Sequence, residues 1–321
     1  MNRKKLISIV IPVFNEALNI EACHAALQTF SSQLADRYDF EFIFTDNHSD
    51  DDTWILLKKI AAQDTRVRAF SFSKNFGYQR SIFTGLMKAK GAAVIAFDCD
   101  LQDPIELIET FLTQWEAGYS VVYGIRTKRK EPKFLELSRK VFYRLINFIS
   151  EDPLPVDAGD FRLLDRRIIN LLSQMKEQQP YLRGIIASLG FKQMGIPYER
   201  RERTAGRSKF NLRKLVGLSV DGIISQSVVP LRIATFFGAT IALLAILLLL
   251  LYLGLKIFHV VQWPRGFTTT TVLILVSMAI NGLFLGILGE YIARIFKQLQ
   301  GRPFVIIEKS TSEEQPEIYG F

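Results

Sequence analysis

Two uncharged stretches constrain this chain more than any other feature. From Ile233 to Leu255 it runs 23 residues without a charge, and from Gly266 to Gly289 another 24. As helices these are roughly 35 Å long, against a bilayer hydrocarbon core of about 30 Å. Both are expected to be transmembrane helices. The rest of the 321-residue chain must therefore fold and work beside a membrane. The hydrophobic fraction of 49% is high for a soluble protein, and the excess sits in these two runs.

The formal charge of +8 is unevenly placed. Eight basic residues lie between Arg200 and Arg232 (Arg200, Arg201, Arg203, Arg207, Lys209, Arg213, Lys214 and Arg232), whereas the stretch between the two runs carries only Lys256 and Arg265. By the positive-inside rule both termini are expected in the cytoplasm of a cell-membrane protein, with the 256–265 loop outside. A basic stretch just ahead of a membrane span suits anionic lipid headgroups or a phosphate-bearing substrate, so no nucleic-acid partner is expected. The N-terminal Met1-Asn2-Arg3-Lys4-Lys5 is charged, but the apolar run after it breaks at Pro12, which reads as a strand and not a signal peptide. Cys23 and Cys99 lack C-x-x-C spacing and suit a reduced domain, and the scattered His24, His48 and His259 give no zinc pattern.

Ahead of the membrane runs, strand, loop and helix recur four times. Apolar strands are expected at 6–11, 40–44, 67–72 and 92–97. Helices follow from Asn15 (with Ala22, Ala26 and Leu27 on one face), from Trp54, after Gly77 and after Asp103. Polar residues gather after each strand, which points to an α/β fold with a mostly parallel sheet flanked by helices and a ligand at the carboxyl strand ends. Further on come a strand at 121–124, a basic loop at 126–133, an amphipathic helix at 134–149, an acidic turn at 155–162 and a helix at 166–175. Between the basic residues after 200, Leu212, Leu215, Val216, Val220, Ile223 and Ile224 recur at helical spacing, the pattern of an interfacial helix. The expected division is a cytosolic domain at 1–200, a basic loop and amphipathic helix at 201–231, two transmembrane helices at 232–295 and a cytosolic tail at 296–321.

The chemically loaded stretch is Asp98-Cys99-Asp100-Leu101-Gln102-Asp103-Pro104, directly after the apolar run 92–97. Carboxylates at the end of a buried strand are costly unless they meet a cation. A hard divalent ion, Mg²⁺ or Mn²⁺, takes a few carboxylate oxygens and completes its shell with water and phosphates. The plainer reading, an acidic turn opening a helix with Asp103 as N-cap and Pro104 at the first helical position, accounts for those two residues and not for Asp98 and Asp100.

Taken together, Pro12-Val13-Phe14-Asn15-Glu16, the Asp46–Thr53 loop, Lys74-Asn75-Phe76-Gly77, Asp98–Pro104, Asp157-Ala158-Gly159-Asp160-Phe161-Arg162 and Gly206-Arg207-Ser208-Lys209 occur in an order that resembles inverting family-2 glycosyltransferases with a GT-A fold. Within them the chain resembles polyprenyl-phosphate glycosyltransferases, the bactoprenol glucosyltransferase group related to dolichyl-phosphate mannose synthase. The paired apolar runs and the ending Gly289-Glu290-Tyr291-Ile292-Ala293-Arg294 with Gly301-Arg302-Pro303 fit the same group.

The resemblance implies that Pro12, Phe14 and Glu16 line the nucleoside pocket and that Asp46 contacts base or ribose. Asn47 and His48 stand where many relatives have a second Asp and a Gly. It further implies that Asp98, Asp100 and Gln102 hold the metal with the donor pyrophosphate, that Arg203 and Lys209 close over that pyrophosphate, and that Arg126 and Arg139 hold the acceptor phosphate. Asp157 matches the position usually assigned as catalytic base. A phosphate monoester is already mostly dianionic at neutral pH, so Asp157 is also open to a positioning role. Competing readings are strand termination for Pro12 and Phe14, membrane-surface charge for Arg203 and Lys209, and solvated basic faces for Arg126 and Arg139.

The implied partners are a nucleotide-sugar donor, UDP-glucose favoured over GDP-mannose or another sugar, a polyprenyl phosphate acceptor and membrane lipids. Gly282 and Gly286 form a small-residue face suited to packing on the first span or on a second subunit. Against a processive polysaccharide synthase, none of the three tryptophans follows an Arg, as a Gln-x-x-Arg-Trp motif requires. A non-catalytic lipid-binding scaffold is disfavoured because Asp98 and Asp100 are both present.

Overall fold

The computed structural model describes residues 4–127, 158–175, 177–178, 180–201, 231, 236–237, 240, 243–244, 247, 266–312 and 318–319. Two compact units result, one holding residues 1–148, 152–215 and 301–321, the other 149–151 and 216–300.

The first half of unit 1 alternates as its periodicity requires. Strands β1 (Lys5–Val13), β2 (Tyr38–Asp46), β3 (Val67–Phe72) and β4 (Ala93–Ala96) alternate with helices α1 (Ala17–Gln33), α2 (Thr53–Gln63) and α3 (Tyr78–Lys88). All four strands are parallel, in the order β4-β1-β2-β3. The connection from β3 to β4 therefore passes over β2 and β1, and the sheet reverses its winding between β1 and β4. Open α/β sheets bind ligands at such a switch point, beyond the carboxyl ends of the strands.

The alternation of side chains along the strands divides the core in two. Ile7, Ile9 and Ile11 with Phe42 and Phe44 meet Ile20, Cys23, Leu27 and Leu57 of α1 and α2 on one face. Val10, Ile43, Phe70 and Val94 meet Ile82, Phe83 and Leu86 of α3 on the other. On α1 the buried face runs through Ile20, Cys23, Leu27 and Phe30. Ala22, expected on it, is exposed, because the larger side chains one position away take the core contact. At Gly91, just before β4, a Cβ would sit 2.6 Å from the backbone nitrogen of Ser8. Only glycine lets the chain pass that close.

The second half departs from the expected pattern. After α4 (Leu107–Glu116) and β5 (Val121–Arg126), residues 158–165 form β6 rather than an acidic turn. β6 lies between β4 and β5, antiparallel to both. Helices α5 (Arg166–Leu172) and α6 (Leu182–Ser188) follow, then β7 (Gln193–Tyr198), parallel to β5. The segment expected as a tail supplies β8 (Val305–Ser310), antiparallel to β3, which pairs in turn with β9 (Ile318–Tyr319). Phe304, Val305 and Ile307 are buried against the α3 face. The nine strands run β7-β5-β6-β4-β1-β2-β3-β8-β9, a mostly parallel α/β sheet with antiparallel additions.

In unit 2, α7 (Phe267–Leu299) has 33 residues, about 50 Å of helix. Among the described residues it is the one helix long and apolar enough to cross a membrane. Gly282 and Gly286 lie exposed on it. Of the run 233–255 only 236–237, 240, 243–244 and 247 are described, all helical and exposed. The expected helices at 134–149 and 212–224 fall outside the described residues.

Candidate active site

At the carboxyl ends of β1 and β2, Pro12 is buried opposite Thr45, and Val13 pairs with Asp46. Phe14 and Glu16 follow, both half-buried. Glu16 accepts from the Asn19 amide at 2.5 Å and donates its backbone N–H to Thr53 Oγ1 at 3.0 Å, so the chain turns into α1 with its acid tied back. Asp46 is buried, and both its oxygens are engaged. Oδ1 accepts from Ser49 Oγ (2.6 Å) and the Ser49 N–H (3.1 Å), and Oδ2 from Ser71 Oγ (2.9 Å). Its first role is to shape the loop, leaving only spare lone pairs for a ligand.

The two unusual residues after it have structural reasons. Asn47 donates to Asn75 Oδ1 (2.9 Å) and accepts from the Phe76 N–H (2.8 Å), clamping this loop to the one after β3. His48 has φ of +62°, a left-handed conformation that favours glycine, and its Nδ1 lies 3.1 Å from the Phe72 carbonyl. A histidine thus occupies a backbone geometry for which glycine is the easier choice.

Across the switch point, β4 delivers the acidic stretch. Leu101 also takes positive φ, +52°, a costly state for a branched hydrophobe. The bend folds the loop back, with Asp100 Oδ1 accepting from the Gln102 N–H at 3.3 Å. Asp98 and Asp100 face one cation: Arg200 Nη2 lies 3.7 Å from Asp98 Oδ2 and 3.9 Å from Asp100 Oδ2. Tyr78, at the start of α3, donates to Asp98 Oδ1 at 2.6 Å. Burial pushes the Asp98 carboxyl up to about 6, and the neighbouring Asp103 and Asp100 add to the push while the Tyr78 bond opposes it. A carboxylate held in its less favourable charged form beside a second one fits a site built for a divalent cation. No group of three or more His, Cys, Asp or Glu side chains arranged to hold a metal ion is found among the described residues, and a hard divalent ion commonly completes its shell with water and phosphate oxygens.

Asp103 corrects the sequence reading. Helix α4 begins at Leu107, preceded by Glu106, and Asp103 caps nothing. Its side chain is fully buried and accepts from Tyr198 OH (2.6 Å), Arg200 Nε (3.2 Å) and Arg126 Nη2 (3.4 Å). Pro104 interposes a turn, its carbonyl accepting from the Leu107 N–H at 3.1 Å, so the helix starts one turn late. Arg126 also donates from Nε to Tyr198 OH at 3.1 Å. Burial alone would lower its pKa, but Asp103 and Tyr198 more than reverse that and hold it firmly charged.

A second, partly buried pair lies alongside. Arg183 of α6 grips Asp160 of β6 through two bonds of 2.9 Å, with Arg162 Nη2 3.8 Å from the same carboxylate. Burial raises the Asp160 pKa, but Arg183, Arg162 and Arg126 outweigh it and bring it down to about 2. The site thus gathers Asp98, Asp100, Asp103 and Asp160 with Arg126, Arg162, Arg183 and Arg200. Acids and arginines interleave in it, each carboxylate facing at least one guanidinium.

Of the residues expected here, Asp98, Asp100, Gln102 and Arg126 are brought together. Pro12, Phe14, Glu16 and Asp46 line the neighbouring strand ends. Arg139, Asp157, Arg203 and Lys209 lie outside the described residues. Sequence reasoning missed Tyr78, Arg183 and Tyr198, which carry no local signal. Asp103 and Arg200 were legible as charges but assigned to a helix cap and a membrane-facing stretch.

The family model for glycosyl transferase family 2 matches residues 8–172, β1 through α5. The chain belongs to glycosyl transferase family 2. Relatives align over nearly the whole length. An uncharacterized glycosyltransferase of Bacillus subtilis (strain 168) is 38% identical over 320 residues, 99% of this chain and 98% of the relative. The SfII prophage-derived bactoprenol glucosyl transferase of Shigella flexneri is 35% identical over 308 residues, 95% and 98% of the two chains. The prophage bactoprenol glucosyl transferase homolog of Escherichia coli (strain K12) is 35% identical over 307 residues, 94% and 98%. This family-2 chain is a glycosyltransferase, and its acidic cluster occupies the switch point of the sheet.

Proposed function

We propose that the enzyme transfers a hexosyl group, glucose from UDP-glucose, onto a polyprenyl phosphate at the cytosolic membrane face, with inversion and release of the nucleoside diphosphate. The observation that carries this reading is the pairing, at one switch point, of a carboxylate pair facing a cation with a partly buried arginine anchored by Asp103 and Tyr198. Long apolar stretches in the same chain suit a lipid acceptor, and full-length relatives named bactoprenol glucosyl transferases favour glucose on a polyprenyl carrier.

In this reading Pro12, Phe14, Glu16 and Asp46 border the nucleoside. Asp98, Asp100 and Gln102 would hold Mg²⁺ or Mn²⁺. When bound, the ion supplies Lewis-acid neutralisation of the charge that develops on the departing diphosphate. Arg126 and Arg139 orient the acceptor phosphate, and Arg203 and Lys209 cover the pyrophosphate. An acceptor phosphate oxygen forms its bond to the anomeric carbon as the bond to the donor's β-phosphate oxygen breaks on the opposite face, which inverts the centre. The dianionic acceptor needs little deprotonation, so Asp157 chiefly positions acceptor or sugar. The run 233–255 and α7 form two spans, with the catalytic unit and both termini in the cytoplasm. Contact between copies through Gly282 and Gly286 is compatible with this arrangement.

Purified protein given labelled UDP-glucose, other UDP-sugars and GDP-mannose with polyprenyl phosphate should move label into the lipid phase from UDP-glucose, and EDTA should abolish the transfer. Label arriving from GDP-mannose alone would reassign the donor, and no EDTA-sensitive transfer from any donor would defeat the enzymatic reading. Asp157→Asn should lower kcat by about 10²-fold or more, the scale of a lost positioning or proton-transfer group. Wild-type turnover in that variant would remove Asp157 from the mechanism.

A further inference from the structure

The contacts of Arg200 are unequal in a way that suggests movement. Its Nε makes a hydrogen bond of 3.2 Å to Asp103, whose side chain is fully buried. Its Nη2 reaches Asp98 and Asp100 only at 3.7 and 3.9 Å, beyond hydrogen-bond distance. The backbone beside it is fixed, because the Arg201 N–H donates to the Gln102 carbonyl at 2.9 Å. The side chain itself is 29% exposed, so its outer end has room to leave. One end is anchored and the other rests loosely between two carboxylates.

We propose that Arg200 is a built-in stand-in for the divalent cation. In the metal-free enzyme its guanidinium offsets the charge of Asp98 and Asp100. An entering ion, doubly charged and able to approach a carboxylate oxygen to about 2.1 Å, outcompetes a single charge at nearly twice that distance. Arg200 then swings about its Asp103 anchor and offers the freed Nη groups to diphosphate oxygens, for which a guanidinium fork is suited. The ion alone takes the outer end of Arg200 away from two carboxylates and gives it nothing in exchange, whereas the ion arriving with a diphosphate supplies that end with a new partner. Metal and nucleoside diphosphate therefore strengthen each other's binding, and by linkage they do so equally. This inference rests on the metal site proposed above.

The test is Mn²⁺ binding to the full-length protein, read from the electron paramagnetic resonance signal of free Mn²⁺, for wild type and Arg200→Gln with and without UDP. Without UDP the variant should bind Mn²⁺ about tenfold more tightly, the scale of losing a competing ion pair. Addition of UDP should tighten Mn²⁺ binding less in the variant than in wild type. Equal or weaker binding by Arg200→Gln without UDP overturns the stand-in role. Absence of Mn²⁺ binding by wild type even with UDP overturns the metal site itself, and the stand-in role with it. A measurement on the unaltered chain guards against a variant that fails to fold. Phenylglyoxal modification mapped to Arg200 by mass spectrometry should rise when Mn²⁺ is added, and unchanged modification with Mn²⁺ bound overturns the displacement.

Discussion

Asp98→Asn should inactivate the enzyme and, without metal, make it more stable at neutral pH. The first effect follows from removing a carboxylate from the proposed metal–diphosphate site, a loss of about 10²-fold or more in kcat/KM. The second follows from the Asp98 pKa, near 6 in the folded chain against an ordinary 3.8. Between those values the native state holds a proton that the unfolded chain has given up, so unfolding free energy falls as pH rises from about 4 to about 6. By pH 7 the full penalty is present, up to about 3 kcal/mol at roughly 1.4 kcal/mol per pK unit. Asparagine carries no charge to desolvate and still accepts from Tyr78. Thermal melts of the metal-free proteins at pH 5 and pH 7 check this. Wild type should lose stability relative to the variant over that interval, and parallel pH dependence would contradict the assignment. Groups with depressed values, Asp160 among them at about 2, act in the opposite sense and at lower pH, so they do not mask the effect.

Asp103→Asn should damage both stability and acceptor use. The carboxylate has no solvent exposure and is the shared partner of Tyr198, Arg126 and Arg200. Removing its charge leaves two guanidinium groups beside an uncompensated hole. Breaking a buried pair costs about 3–5 kcal/mol, and the partial exposure of the arginines, 16% and 29%, brings the expectation to about 2–4 kcal/mol. Because Arg126 loses its anchor, KM for the lipid phosphate should rise more than kcat falls. Denaturant midpoints and acceptor titrations measure the two effects. In a double-mutant cycle with Tyr198→Phe the costs should fall short of additive, since one change takes the charge from, and the other removes, the same 2.6 Å bond. A fully additive cycle would mean that the two groups act independently.

The parallel half of the sheet was legible because buried parallel strands are continuous apolar runs and each is followed by a helical period. β6 was not. Within Ala158 to Asp165, Asp160 and Arg162 flank Phe161 because the two charged residues face the site, and out of context that stretch reads as a polar turn. β8 was not legible either, since its partner β3 lies more than 230 residues earlier and no local pattern records the pairing. At the site, composition flagged Asp98, Asp100 and Gln102, whereas the role of Asp103 depends on Tyr198, Arg126 and Arg200, which only folding brings to it. A favourable local explanation, the Asp-Pro helix start, concealed a long-range one.

The return of the chain into β8 also fixes an arithmetic of passage. β3 and β8 share one hydrogen-bonded ladder, so Phe72 and Ile307 must end up in the same compartment. Whatever the chain does between Tyr198 and Val305, it can cross a bilayer only an even number of times. If α7 makes one passage, a second must be found in the same interval, and the uncharged run 233–255 is the stretch with the length and composition for it. If the chain enters a membrane in this interval, the sheet acts as a clasp that closes the excursion into a loop.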